Sequence, residues 1–575
     1  MSLSSYSENI EYGSRRGYGL DEGLINQLSG GNENYPLLSL FKTKSIAMIT
    51  TTQIINNEAD SLFNILDQGK KKSIEHDKFL DQLARTGILS DDPRIKELLN
   101  DFKLHKNGKG ITGISQTEFN EILKQNALVK KSLTENAVIP DFESFCEQIR
   151  TIYLKTLKNK SGKVADYIPQ LARVNPDQFA ISVCTVDGQR FSIGDSGVNY
   201  CLQSSCKPIN YCLALEELGA DVVHNHVGRE PSGQSFNELA LNSRGLPHNP
   251  MINAGAMMSC SLIDRKNNIA DRFDKVSKTW KALCGGKDVS FNNSVYLSER
   301  QTADRNFALA YFMREKNAFP ENTNLTETLE FYFQCCSIES NAYDLSVAAA
   351  TLANAGTNPL TGDTIFQSST VQNCLSLMLS CGMYDFSGEF AFKIGLPAKS
   401  GVSGALMLVI PNLMGISIWS PRLDEVGNSV RGVEFCERLV EHFSFHQYDS
   451  LTGHSAKVNP RKRENELIAS KVMELIWSAS HGDMDEIFRL EAEGVSPDVA
   501  DYDGRTPLHL AACEGQMEVV KYLIKKKIHL TPKDRWGNTP LDDAKRFKNK
   551  EIEILLDKAI KAHKSRIAHT PILEN

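Results

Sequence analysis

The stretch Gln203-Ser204-Ser205-Cys206-Lys207-Pro208 decides how the surrounding chain folds. A serine stands three residues ahead of a lysine, and proline follows. Residues 210–218 then carry apolar side chains at helical spacing, with Gly219 as the expected C-terminal stop. Proline is tolerated only in the first helical turn, where the amide N–H groups have no intrahelical partner. Pro208 therefore predicts a helix that begins close to Ser204. Positions three apart share a face, so Lys207 reaches the Ser204 hydroxyl, while Ser205 points elsewhere. The free N–H groups and dipole of a helix start suit a developing oxyanion. A lysine deprived of water there has its pKa lowered and can act as a base.

Ser-x-x-Lys is common, and most instances are surface caps with a solvated lysine. Here Cys201, Leu202, Cys206 and Ile209 make the neighbourhood apolar, which does not suit an exposed cap. Just upstream, residues 179–186 and 191–193 flank Asp187-Gly188, a strong hairpin signal. A hairpin feeding a helix that opens on Ser-x-x-Lys is a plausible hydrolase core.

The 575 residues predict two to four domains with ample core. Net charge is −7 with mixed signs, which implies no general affinity for nucleic acid or anionic membrane. No apolar run is long enough for a membrane span. The thirteen cysteines include no Cys-x-x-Cys pair and sit mostly in apolar runs, as expected of free buried thiols in a reducing compartment.

Residues 1–45 are rich in Ser, Gly, Asn and Tyr, so disorder is expected. Arg15 and Arg16 suit a mitochondrial transit peptide; Glu8, Glu11, Asp21 and Glu22 do not. Residues 46–158 read as a helical domain whose loops 67–74 and 107–114 are EF-hand-like. Neither loop supplies the alternating ligands and terminal Glu that calcium requires, and Lys70, Lys71 and Lys72 stand in ligand positions. Residues 160–450 mix strands and helices. An alanine-rich helix over 342–355 ends at Gly356, and strands 405–410 and 415–419 flank a turn at Pro411-Asn412. Strands at both ends with helices between predict an α+β fold, an antiparallel sheet plus a helical cluster. Over residues 470–560, Thr506-Pro507-Leu508-His509 recurs as Thr539-Pro540-Leu541-Asp542, with Gly482, Gly504, Gly515 and Gly537 in the same register of 33 residues. That period and motif resemble ankyrin repeats, which bind or support partners more often than they catalyse. Residues 561–575 form a basic tail, expected to be flexible.

The segment 160–450 also resembles the serine-dependent glutaminases, and the whole layout resembles their animal kidney/liver type. The matching residues include Tyr167-Ile168-Pro169-Gln170, Val183-Cys184-Thr185-Val186-Asp187-Gly188-Gln189-Arg190, Glu230-Pro231-Ser232-Gly233, His248-Asn249-Pro250-Met251, Asn253-Ala254-Gly255-Ala256 and Cys381-Gly382-Met383-Tyr384-Asp385-Phe386-Ser387-Gly388. The resemblance implies a β-lactamase/penicillin-binding-protein-like fold, in which Lys399-Ser400-Gly401 is similar to the lysine-hydroxyl-glycine strand. It implies that Ser204 attacks the side-chain amide of L-glutamine, that Lys207 is the base, and that Tyr384 passes protons. The backbone N–H groups of Ser204 and Val402 would hold the oxyanion. Glu299 would meet the substrate ammonium, and Asn253, Asn306 and Tyr332 its carboxylate, with Tyr167 and Gln203 lining the pocket.

Each assignment has a plainer alternative. Asn253 could cap a helix, Glu299 could pair with Arg300 or Arg305 at the surface, and Tyr332 could be simple core. The resemblance further implies a homotetramer, a mitochondrial location and activation by inorganic phosphate through the loop 228–249. There Glu238 replaces an expected lysine and Ala240 an expected aromatic. No cofactor or metal is expected, and His224 and His226, two apart as in a strand, read as structural. A β-lactam-type hydrolase and an inactive domain serving as an ankyrin scaffold are the competing readings.

Overall fold

A computed structural model describes residues 59–568 apart from 61, 65, 68–71, 101–112, 135, 234–237, 453–456 and 463. The expectation of disorder over residues 1–45, half of the first EF-hand-like loop, most of the second and the end of the basic tail lie outside the described residues. The chain divides into two compact units, Met1–Ser61 and Leu62–Asn575; among the described residues the second holds every strand and the whole of the candidate site.

The helical N-terminal part of that second unit is threaded by a short antiparallel ladder, β1 (Ser73–Glu75) against β2 (Gly113–Ser115). Ser115 accepts from the Glu118 N–H while Glu118 reaches back to the Ser115 N–H, a capping box that starts the helix Gln116–Gln125. Phe119, buried between Phe63 and Phe79, forms the centre of this small core.

The segment 160–450 holds β3 (Ala180–Thr185), β4 (Arg190–Gly194), β5 (Tyr200–Cys201), β6 (Ser290–Phe291), β7 (Ile338–Ser340), β8 (Ala398–Ser400), β9 (Ala405–Ile410) and β10 (Met414–Trp419). Five of these form an antiparallel sheet in the order β4-β3-β10-β9-β8, and β5-β7-β6 make a second, three-stranded one. Both expected hairpins are present. Gly188 turns the first at φ 87°, and Asn412 turns the second at φ 58°.

Every residue of β3, β9 and β10 is buried, so these strands read as continuous apolar runs although their side chains alternate. Ile181, Leu406, Leu408, Ile416 and Ile418 face one core with Phe145 and Phe435. Ala180, Met407, Val409 and Trp419 face the other, made largely of helices. The alanine-rich helix Ala342–Ala353 lies on that second face. A Cβ on Gly415 would come within 2.1 Å of the Ala350 nitrogen, so the close approach requires glycine. That helix stops three residues before Gly356, with Ala355 already left-handed.

Gly219 leaves helical geometry at φ 76° and ψ 160° and ends the helix that begins at Lys207, as expected; a second, short helical segment follows it as far as Val223. One expectation is corrected: His224 flanks the end of that short segment and does not sit in a strand.

The C-terminal part is a stack of helix pairs with its own core, Leu475, Leu490, Leu508, Val520 and Leu556 among it. Thr506 and Thr539 each open their inner helix through a capping box, closed by His509 and Asp542. Among the described residues no helix is long and apolar enough to cross a membrane.

Candidate active site

Ser204 lies in a 3-10 turn, Gln203–Cys206, that runs directly into the helix that begins at Lys207. Pro208 occupies the first turn, where its missing N–H removes no helical bond. Strand β5 ends two residues earlier and is held by β7, while the Leu202 N–H donates to the Ile338 carbonyl. Gln203 is pinned at φ 49°, and Tyr384 at φ 53°. Two strained non-glycine residues flanking one serine are what a preorganised site shows.

Lys207 is wholly buried, and its Nζ lies 3.0 Å from Ser204 Oγ and 2.7 Å from Asn253 Oδ1. Burial lowers its pKa to about 8, with nearby thiols and Glu299 opposing. Ser205 is also wholly buried but abuts Gly401, whose Cβ would sit 2.8 Å from the Ser205 Oγ. The same close packing brings the end of β8 against Leu202 and Ser205. Val402 follows in the turn and packs against Ile168, Cys201 and Val295.

Asn253 is the first residue of the helix Asn253–Leu262, and its side chain makes no capping bond. It instead accepts from Lys207, donates to Asn306 Oδ1 at 3.1 Å and accepts from the Tyr332 hydroxyl at 3.4 Å. Tyr332 is thus at once buried core and a polar contact of the site; burial holds its phenol well above the ordinary range.

Glu299 is 8% exposed, and its Oε1 accepts from the Tyr167 hydroxyl at 2.6 Å and from Gln203 Nε2 at 3.1 Å. Burial raises its pKa, against those two bonds and the Lys207 charge. Arg300 pairs with Glu330, not with Glu299. Tyr167 leaves 47% of its surface exposed, but its hydroxyl is the inward end, and burial followed by the Glu299 charge drives that hydroxyl's pKa well up. Tyr384 is buried, which raises its pKa, while the Ser204 side chain beside it pulls the other way.

Lys399 is marked in the sequence only by its Lys-Ser-Gly strand, which assigns it no role. It is wholly buried, donates to the Gly382 and Ser400 carbonyls at 3.1 and 2.7 Å, and lies 4.5 Å from the Tyr384 ring centre. Burial, then the Lys207 charge, pushes its pKa well below the lysine range. Lys399 therefore ties the segment before Tyr384 to the strand before Val402. Among the described residues no group of His, Cys, Asp or Glu is placed to hold a metal ion.

An α+β domain with a buried Ser-x-x-Lys helix start, flanked by a Lys-Ser-Gly edge strand, has the layout of the β-lactamase-like fold. The family model described as Glutaminase matches residues 162–448, that for ankyrin repeats residues 475–566, and that for an EF-hand domain residues 58–140. Putative glutaminase 2 of Caenorhabditis elegans is 44% identical over 87% of this chain and 85% of that protein. The mitochondrial liver isoform of glutaminase from Mus musculus is 44% identical over 86% of this chain and 83% of its own. The crystal structure of Mglu in its glutamate form superposes with a TM-score of 0.50 at 35% identity, covering 54% of this chain and 70% of that one. The chain belongs to the glutaminase family.

Proposed function

We propose that the protein hydrolyses L-glutamine to L-glutamate and ammonia through a Ser204 acyl-enzyme with Lys207 as the base. The observation that carries this reading is the 3.0 Å contact between a wholly buried lysine and the Ser204 hydroxyl. A pKa near 8 leaves part of the Lys207 population neutral at physiological pH. Neutral Lys207 takes the hydroxyl proton as Oγ bonds to the side-chain carbonyl carbon. The carbonyl oxygen takes up the negative charge and is met by the Ser204 and Val402 N–H groups. Protonation of the amide nitrogen, with Tyr384 relaying, lets the C–N bond break and ammonia leave. Water then adds to the ester carbon, its proton passes back through the same groups, and glutamate departs as Oγ recovers its hydrogen.

Glutamine also carries an ammonium and a carboxylate. Glu299, held by Tyr167 and Gln203, offers the counter-charge for the first. Asn253, Asn306 and Tyr332 supply donors for the second, and a carboxylate would displace their contacts with one another. A zwitterion site of this kind is not what a β-lactam needs.

We further propose, from the resemblance alone, a homotetramer activated by inorganic phosphate through the loop 228–249; the mouse relative's name supports a mitochondrial location. The ankyrin repeats would supply a protein-binding face. Ammonia release from purified protein with glutamine, in a phosphate series and beside a chromogenic β-lactam, tests the reading. Glutamine turnover without lactam turnover is the expected result; the reverse, or neither, would refute it.

A further inference from the structure

The neck of the loop 228–249 is fastened to both helices that meet at the candidate site. The Gly228 N–H donates to the Pro247 carbonyl at 2.8 Å and the Glu230 N–H to the His248 carbonyl at 3.0 Å. Asn249 then locks the closing side: its Nδ2 donates to the Glu230 carbonyl, and its Oδ1 accepts from the Met251 N–H, both at 2.9 Å. A Cβ on Gly255 would lie 1.8 Å from the Asn249 carbonyl oxygen. The closing side therefore rests directly on the backbone of the helix that begins with Asn253.

The opening side is fastened by His224, which is 6% exposed and follows the short helical segment that lies beyond the Gly219 break from the Lys207 helix. Its Nδ1 lies 3.0 Å from the Val227 carbonyl and its Nε2 2.7 Å from the Tyr211 hydroxyl. A carbonyl can only accept, so Nδ1 carries the hydrogen. In the neutral ring Nε2 is then bare and accepts from the Tyr211 O–H. Burial, with Arg229 and Arg244 adding, holds the imidazole pKa down against the Val227 bond and Asp221, in keeping with the neutral form. Tyr211 is wholly buried and stands four residues after Lys207, one turn along the same helical face. The loop thus straddles two helices, and Lys207 and Asn253 join those helices 2.7 Å apart in the site.

We propose that His224 is a positioning residue for the glutaminase reaction: by bonding Tyr211 and the Val227 carbonyl together it fixes the loop neck to the helix that carries Lys207, and so keeps Lys207 in register with Asn253. This rests on the reading of Lys207 as the base. It gives the histidine that the sequence marks as merely structural a task in setting the base.

The test uses the full chain with His224→Leu, His224→Gln and the near-isosteric Tyr211→Phe. Glutamine hydrolysis is followed against pH, and amide hydrogen exchange is followed at Gly228 and Glu230. Lys207 faces Ser204, Asn253, Glu299, Lys399 and the thiols of Cys206, Cys260 and Cys336, none of which these changes alter. In Tyr211→Phe and His224→Leu the neck amides should exchange faster and kcat should fall about tenfold, the scale of a sub-ångström misplacement. KM should stay within about twofold. The pH at which activity rises should move below about 8, because Lys207 loses the Asn253 carbonyl oxygen that holds its ammonium form. His224→Gln, which can donate to one partner and accept from the other, should recover most of the rate. If His224→Leu does not fold, Tyr211→Phe decides alone. A folded Tyr211→Phe protein with wild-type kcat, pH midpoint and neck exchange would overturn the proposal. Wild-type protein that hydrolyses no glutamine would instead overturn the reading beneath it.

Discussion

Lys207 reaches Asn253 Oδ1 at 2.7 Å, a shorter contact than the 3.0 Å it makes to Ser204. A carbonyl oxygen holds an ammonium more strongly than an amine. Asn253 therefore props the Lys207 pKa up against burial while aiming Nζ at the serine. Asn253→Ala should lower kcat by about one to two orders of magnitude through lost aim. The pH midpoint of the rate should move below about 8, the value set by burial in the intact site. A fall in rate with the midpoint unmoved would show that the contact does not act on the lysine.

The same burial carries a stability cost. The folded-state pKa of Lys207 is depressed from 10.5 to about 8, so the native protein is penalised for its proton below pH 8 and the penalty fades between 8 and 10.5. Lys207→Met should abolish activity yet stabilise the fold at pH 7 by something on the order of 2–3 kcal/mol, the gain shrinking as pH rises past 8. Urea unfolding at pH 7 and pH 10 checks this; equal stability of the two proteins at both values would contradict it.

Glu299→Gln keeps the shape that receives the Tyr167 and Gln203 bonds but removes the charge. KM for glutamine should rise roughly 10- to 100-fold, as for loss of a charge-assisted hydrogen bond, and by more than in Glu299→Asp. Because burial raises the Glu299 pKa, wild-type KM should also climb as pH falls through the carboxylate range. An unchanged KM in the Gln variant would remove Glu299 from the ammonium site.

Glu238 is exposed in the loop 228–249, and Ala240 is half-buried. Two like charges 5–10 Å apart at an effective dielectric near 20 repel by roughly 2–3 kcal/mol before salt screening. Glu238→Lys should therefore steepen the response to phosphate, and Ala240→Phe should strengthen binding of apolar inhibitors at the proposed tetramer interface. Phosphate and inhibitor titrations that do not move in either variant would take regulation away from this loop.

The ankyrin core is built from its own residues, and no proposed site residue lies in it. Deleting residues 470–575 should leave protein that still hydrolyses glutamine. A folded, normally assembled truncation without turnover would contradict that.

The sequence made the site legible where local rules hold. Ser-x-x-Lys with proline in the first turn specified which serine faces the lysine, and two turn dipeptides specified both sheet hairpins. It did not specify where long-range contacts decide. Asn253 looks like a helix cap by position, yet its side chain is claimed by Lys207, 46 residues away along the chain. Glu299 looks like part of a surface charge run, yet Arg300 turns to Glu330 and leaves it to Tyr167. Gly219 reads as a helix stop and is one, but the second short helical segment that follows it to Val223 carries no signal of its own in the sequence. Lys399 and His224 escaped assignment because one acts through backbone carbonyls and the other through a residue 13 positions earlier. Neither partner is marked by any short motif.

The central claim is that Ser204 is the nucleophile, and the neighbouring serine supplies the control. Ser205 is wholly buried against Gly401, and its Oγ has no hydrogen-bond partner among the described residues, so its removal should disturb the fold little. The decisive measurement is ammonia release from glutamine by Ser204→Ala and Ser205→Ala, prepared side by side and shown to be folded. Ser204→Ala should lose several orders of magnitude in kcat, while Ser205→Ala keeps most of it. Equal loss in both, or turnover retained in Ser204→Ala, would contradict the assignment.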